Sequence, residues 1–362
     1  MGRELKNTMI GNRLHDLPGT LTFLFLSILL AGGCSPSEEP KPPAGAPESE
    51  RPVAPTAGKE SAASEADAIL ARLTELGGKV KTDPRTGELL AVDLRGTAVT
   101  NAELAVQTSA ERLETLDLRE TAVTGRGLES LPDLPRLRVL RVSGERVTDE
   151  GMETLARFTA LEVLGLDNTS VGDATMETVA KLKELKELYL ANAPVTNAGI
   201  AKIAVLPNLA VLRISGTKIT DKGIDALAAA KELKNLDVSS TALTGAAAAA
   251  LGRLTNIERL NLYTTAVDDA GLVALAPLVN LDRLNLDQTK VTDAGLEKPA
   301  PLANVTWLHL GRNAITDRGL EKLAQFKQLR ELHVTRTQVT PEGVAALREA
   351  LPECTIHDVV EE

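Results

Sequence analysis

The 362-residue chain carries a formal net charge of −10 at pH 7 and holds only four Phe, two Tyr and one Trp. An acidic, aromatic-poor chain offers neither the basic face nor the stacking platform that nucleic acid demands, which excludes nucleic acid as the expected partner. Two cysteines, Cys34 and Cys354, cannot make a disulfide framework, so an aliphatic core of Leu, Val, Ile and Ala must hold the fold.

At the amino terminus Arg3, Lys6 and Arg13 lie in a long polar lead before the apolar run Leu21 to Ala31. That run is short for a bilayer span and reads as the centre of a signal peptide over residues 1–33. It ends in Leu29-Leu30-Ala31-Gly32-Gly33-Cys34, which resembles the bacterial lipoprotein box, where a small residue precedes a cysteine that is lipidated. The usual box has Leu three before the Cys; here Ala31 stands there and Leu30 lies one further back. The resemblance implies lipidation at Cys34 and a membrane anchor, with each buried CH₂ worth ~0.8 kcal/mol. Ser35 rather than Asp follows, which by the same resemblance implies an outer-membrane lipoprotein of the cell envelope, facing the periplasm or the surface. The alternative is an ordinary signal peptide with an incidental cysteine.

Residues 34–63 are rich in Pro, Glu, Ser, Ala and Lys, a composition that cannot bury enough surface to order itself and predicts a semi-extended tether. From Ser64 the spacing of Ile69, Leu73 and Leu76 predicts a helix ended by Gly77-Gly78. Lys79 to Thr82, a turn at Asp83 to Gly87, and Leu89 to Leu94 read as a hairpin. Residues 64–88 are therefore expected to cap a repeat array, covering the open apolar end of its first unit.

A 24-residue frame then starts at Leu89, Leu113, Leu137, Leu161, Leu185, Leu209, Leu233, Ile257, Leu281, Val305 and Leu329, eleven copies spanning 89–352. A fixed period of this kind means a solenoid whose units bury their apolar faces only against one another. The pattern L-x-x-L-x-L-x-x-T-x-V-T-D-x-G-L-x-x-L resembles the leucine-rich repeat family, closest to its cysteine-containing, ribonuclease-inhibitor-like class, with Thr mostly in the Cys/Asn position. The resemblance runs from Leu89 to about His357 and implies an α/β solenoid, a right-handed horseshoe with a parallel sheet on the concave face and helices on the convex face. Residues 353–362 are expected to add a partial strand and tail.

Within each unit, Leu-x-x-Leu-x-Leu alternates as a strand with one buried face. A Thr column follows (Thr97, Thr121, Thr169, Thr217, Thr241, Thr265, Thr289, Thr337), whose hydroxyls are expected to bond turn backbone and the neighbouring turn. Thr100, Thr124, Thr148, Gly172, Thr196, Thr220, Thr244, Asp268, Thr292, Thr316 and Thr340 form a helix N-cap column. Asp149, Asp221, Asp293 and Asp317 come next, facing the positive helix end. Glu103, Thr175 and Ala247 share the column of Gly127, Gly151 and Gly199, so that column reads as close packing rather than positive φ. Pro299 and Pro301 predict a short or irregular ninth helix.

No phosphate loop, Ser/His/Asp set or Cys–His pair occurs, so neither an enzyme nor a cofactor is expected. The outward strand positions carry the remaining information. They are mixed toward the N-terminus (Asp93, Asp117, Arg119, Arg141, Gly165) and become larger further on: Tyr263, Arg283, Asn285, Asp287, Trp307, His309, Glu331 and His333, with Arg312 and Arg336 beside them. Trp, Tyr and Arg are enriched at interface hot spots, and a concave surface expected to expose the only Trp points to a protein or peptide ligand of a monomer, against the bland alternative of a solvated sheet face with no partner. An intracellular substrate receptor is the rival class, since the repeats are similar to those of F-box ligase subunits. A signal-peptide-like segment and Cys34 stand where an F-box domain is expected. Finally, His309, His333 and His357 share one column, which suggests either repeat duplication or a Zn²⁺, Cu²⁺ or Ni²⁺ site with depressed titration, with Glu331 as the nearest further ligand.

Overall fold

In the computed structural model the described residues are 71–104, 110–298 and 303–359. The segments expected to be a signal peptide and a tether, with Cys34, lie outside them, as do Ile69, Pro299 and Pro301.

The array begins with a helix over residues 71–75 that ends in a left-handed glycine. Gly77, at φ 83°, donates to the Thr74 carbonyl (2.9 Å), and Gly78 donates to that of Leu73 (2.9 Å). These two bonds form a Schellman stop and satisfy carbonyls the helix leaves open. Leu73 points inward and is buried. The strands Lys79–Thr82 and Leu89–Asp93 then pair antiparallel, so the hairpin closes one end of the sheet.

From Leu89–Asp93 onward every strand is parallel to its neighbours and follows chain order, up to Thr355–His357, in a sheet of 13 strands. Each residue pairs with the one 24 positions on: Leu188 with Leu212, Leu212 with Leu236, Leu236 with Leu260. The Leu columns are buried throughout, Leu212 being 1% exposed, and join one apolar core from Leu73 to Ile356. Fully burying a Leu is worth ~1.5–3 kcal/mol, so stacking rather than any single unit stabilises the chain.

Three polar ladders complete the frame. Each Thr hydroxyl of the first column donates to the carbonyl three residues back, as in Thr217 to Ile214 (2.7 Å) and Thr265 to Leu262 (2.7 Å). The bonds stay within their own turns, and Thr289 alone among the described Thr residues of this column also reaches the next unit, at Asn313 (3.1 Å). The second ladder is the acidic column. Asp293 accepts from the Thr316 backbone N–H (2.9 Å) and the Thr316 hydroxyl (2.6 Å), and Asp173, Asp221, Asp269 and Asp317 do the same to Thr196, Thr244, Thr292 and Thr340. These carboxylates clamp one repeat to the next, a role beyond their effect on the helix end. Third, Asn208, Asn256, Asn280 and Asn304 donate their amides to carbonyls of the preceding unit (2.8–3.0 Å).

Eight of the expected caps precede helical segments in extended conformation, among them Thr196, Thr316 and Thr340. Thr124 and Thr220 make no cap bond from their side chains, since Asn101 and Asn197 donate to their hydroxyls instead (2.9 Å each). The glycine column is close packing at most positions: a Cβ on Gly319 would collide with Asp293 Oδ1 of the clamp and lie 2.9 Å from Ile315. Gly151 is a correction, since its φ is 81°. Its unit lacks the turn Thr, having Glu145; here Gly144–Thr148 forms a second, two-stranded sheet with Thr169–Ser170, and Met152–Arg157 is a 3₁₀ helix. Among its described residues the ninth unit has the 3₁₀ turn Gly295–Glu297, and Pro299 and Pro301, on which the expectation of an irregular helix rests, lie outside them. At the far end Pro341–Ala350 is the longest described helix, and Thr355–His357 pairs fully with Glu331–His333.

Candidate functional site

The sheet face opposite the helices is written by three columns of outward residues plus the turn position after them. That turn position is left-handed in unit after unit: Glu120 (φ 58°), Asn168 (58°), Asn192 (61°), Ser240 (54°), Thr264 (53°), Gln288 (55°), Arg312 (54°) and Arg336 (57°). Non-Gly residues rarely adopt it, so the turn sends Arg312 and Arg336 off the sheet in a fixed direction. Its signal in the sequence is a 24-spaced column of Gly, Asn and small polar residues that gives way to Arg.

The middle column has a structural duty. Asn261 and Asn285 accept the N–H two residues on, from Tyr263 (3.1 Å) and Asp287 (2.9 Å). In the next strand His309 takes over the task, its Nδ1 accepting from Gly311 N–H (3.2 Å). That bond requires a bare Nδ1 and fixes the neutral tautomer. Burial first, then the neighbouring His333, Arg312 and His357, push the His309 pKa down to about 4. Burial also lowers His333, against the opposing pull of Glu331. Sequence reasoning expects this direction from repulsion among the rings; burial is the larger cause.

Parallel register brings the aromatic groups into contact. His309 and His333 stack at 4.8 Å with planes 2° apart, and His333 and His357 at 4.3 Å with planes 10° apart. Trp307 lies 5.9 Å from His309 and 5.4 Å from His333, and the Arg283 guanidinium sits 4.7 Å over its ring. Trp307 is thus half-buried under its neighbours rather than exposed. From the turn after the Trp307 strand, Arg312 reaches back to the Tyr263 hydroxyl (3.2 Å), Asp287 (3.0 Å) and Gln288 (3.4 Å), with its guanidinium 5.8 Å from the Tyr263 ring. Asp287 is 7% exposed and one of its oxygens finds no hydrogen bond; burial raises its pKa against the pull of Arg312 and Arg336.

The sequence groups His309, His333 and His357 as candidate metal ligands, with Glu331 as a further one. Donor atoms of Glu331, His333 and His357 lie within 4.8 Å of one another; His309 is not in that group, and its Nδ1 accepts from Gly311. Glu331 Oε1 is 2.8 Å from His333 Nε2 and 3.7 Å from His357 Nε2. Burial works to raise the Glu331 carboxyl, but the hydrogen bond and charge of His333 prevail and hold it below the ordinary value.

A family model described as a leucine-rich repeat region matches residues 100–359. The chain belongs to the leucine-rich repeat family. Comparison with curated protein sequences finds no match. Among solved structures, this leucine-rich repeat protein is similar to an internalin of Listeria monocytogenes (16% identity, 82% of this chain and 89% of the other, TM-score 0.52). It is also similar to a leucine-rich repeat protein of Leptospira interrogans (19% identity, 74% and 72%, TM-score 0.54). A third is the receptor kinase HAESA of Arabidopsis, in complex with a peptide hormone and a co-receptor (17% identity, 76% and 54%, TM-score 0.53). At these identities the likeness is one of fold. Leucine-rich repeat proteins are typically binding scaffolds, commonly for protein or peptide partners, and no catalytic family is indicated.

Of the ten outward residues singled out in the sequence, Tyr263, Asp287 and Arg312 form one cluster and Arg283, Trp307, His309, Glu331 and His333 another. Asn285 serves its own turn, and Arg336 is exposed beside the first cluster. Gln288 is the member that sequence reasoning missed; only the left-handed turn brings it to Arg312.

Proposed function

We propose that this leucine-rich repeat protein is a monomeric envelope lipoprotein, anchored through Cys34, that binds a protein or peptide on the open sheet face from Tyr263 to His357. The carrying observation is the layering of Arg283 on Trp307 across adjacent strands and of Arg312 on Tyr263 two repeats back. These residue types dominate binding energy elsewhere, and ordered rings and guanidinium groups lose little entropy when a partner covers them. HAESA, which shares the fold, is seen with a peptide hormone; for this chain that is an analogy of fold.

A photo-crosslinking residue placed at Trp307, and separately at Arg141 on the N-terminal part of the same face, tests the reading in cells that make the full chain. Adducts of one defined mass are expected from position 307 and not from 141. Equal yields from both positions would remove the binding face. For the anchor, Cys34→Ser is expected to move the protein from the membrane pellet to the soluble fraction. If that variant stays in the membrane and the wild type incorporates no labelled acyl chain, the lipoprotein reading falls.

A further inference from the structure

We propose that Glu331, His333 and His357 form a binding site for one divalent transition-metal ion, of the Zn²⁺, Ni²⁺ or Cu²⁺ type, at the last two strands of the sheet. The site stands independently of the partner-binding reading.

The argument starts from donor chemistry. Two imidazoles and a carboxylate suit borderline cations, whereas Mg²⁺ and Ca²⁺ prefer oxygen alone. Zn²⁺ holds nitrogen and carboxylate oxygen at ~2.0–2.2 Å, so donors sharing a tetrahedral ion sit roughly 3.3–3.6 Å apart. Glu331 Oε1 is 2.8 Å from His333 Nε2 and 3.7 Å from His357 Nε2, which brackets that spacing on two edges of the triangle. All three donor atoms fall within 4.8 Å, and the remaining edge closes as the His357 ring turns out of its stack on His333.

The scaffold fixes the triangle. His333 and His357 are direct partners across parallel strands, and Glu331 stands two residues before His333 on the same face. Sites on strands hold their geometry better than sites on loops. On the inner side, His309 stacks flat against His333 and Trp307 packs beside both rings, which limits how far the His333 ring can turn. On the outer side Thr355–His357 is the last strand in the sheet order. Arg348 steadies that edge by bonding the Ile356 carbonyl (3.2 Å) and Asp358 (3.1 Å). Three protein donors leave at least one position of a tetrahedral ion for water or an incoming group, the arrangement of an open rather than a closed structural site.

The single Trp of the chain supplies the reporter, since its ring lies 5.4 Å from that of His333. The full chain, purified without a polyhistidine tag and stripped with chelator, is titrated with Zn²⁺ by calorimetry and with Cu²⁺ by Trp307 fluorescence. One equivalent is expected to bind with a dissociation constant of about 10 μM or tighter, undisturbed by millimolar Mg²⁺ or Ca²⁺, and Cu²⁺ is expected to quench the fluorescence. His333→Ala and His357→Ala are each expected to weaken binding on the order of 100-fold and Glu331→Gln at least about tenfold. His309→Ala is expected to stay within about threefold, because that ring lies outside the donor triangle. Circular dichroism of each variant separates a lost site from a lost fold. No saturable binding below 1 mM (about 4 kcal/mol), or equal losses in His309→Ala and His333→Ala, overturns the assignment.

Discussion

Over the strands from Thr115–Leu118 to Asn235–Asp237, the open face neutralises its own charges. Arg119 grips Asp117 with bonds of 2.6–3.1 Å, and Arg213 reaches Asp167 (3.5 Å) and Asp237 (3.7 Å) on other strands. From Arg283–Asn285 to Thr355–His357 the same positions hold stacked rings, a guanidinium over Trp307, and a carboxylate shared by two imidazoles. The inner faces of both regions are the same Leu columns. The frame thus leaves the outward positions free: the first region holds Tyr189 as a single ring bonded to Glu187 (2.7 Å), and the second stacks rings on one another and brings two imidazoles to one carboxylate.

The comparison breaks most visibly at the frame itself. Leu212→Ala is expected to cost ~2–5 kcal/mol, because the cavity is walled by stacked units on both sides and cannot collapse. Arg213→Ala, one residue on and facing out, should cost about 1 kcal/mol or less, since its ion pairs are long and solvated. Chemical denaturation midpoints decide between them. Similar midpoints would mean that the strand register is wrong.

The inter-repeat clamps come next in size. Gly319→Ala is expected to destabilise by ~1–3 kcal/mol, as the new methyl group displaces the Asp293 carboxylate that bonds Thr316. Asp293→Ala loses the same two bonds and should cost ~1–2 kcal/mol. Asp293→Asn should be near neutral, within about 0.5 kcal/mol, because Asn197 already makes the equivalent pair of bonds to Thr220. Were Asn as costly as Ala in thermal melts, the column would owe its acidity to the helix end after all.

These residues also show where the sequence stops speaking. A buried column recurring every 24 positions determines the strands, since only one face of each can be apolar; Leu212 and its partners follow from that alone. Asp293 was readable as a helix-end charge, but its second duty depends on the distance between units, which no single repeat displays. At Gly151 a column average misled: the loss of the turn Thr at Glu145 changes the backbone of that one unit. The histidines are legible as a column, while the direction of their donor atoms is not. Spacing gives ring proximity, whereas donor direction depends on which nitrogen the backbone engages. Gly311 takes Nδ1 of His309, and Glu331 turns toward the other two rings.

The last effect is confined to acid and tests the second region alone. The His309 pKa of about 4 lies below its ordinary 6.5, so between those values the unfolded chain binds a proton that the folded chain refuses. Stability from this group is therefore full above about pH 6.5, falls as the pH drops through that window, and levels off below about 4. His309→Asn removes the titration while keeping an acceptor for Gly311 N–H, as Asn285 does for Asp287 in the preceding strand. His333, Asp287 and Arg312 are present in both proteins, so their contributions largely cancel. Urea midpoints of the wild type and His309→Asn, measured from pH 7 to 4.5, are expected to diverge in favour of the variant as the pH falls. A constant difference across that range would mean that the ring accepts its proton as freely folded as unfolded, and that the bond from Gly311 does not hold it neutral.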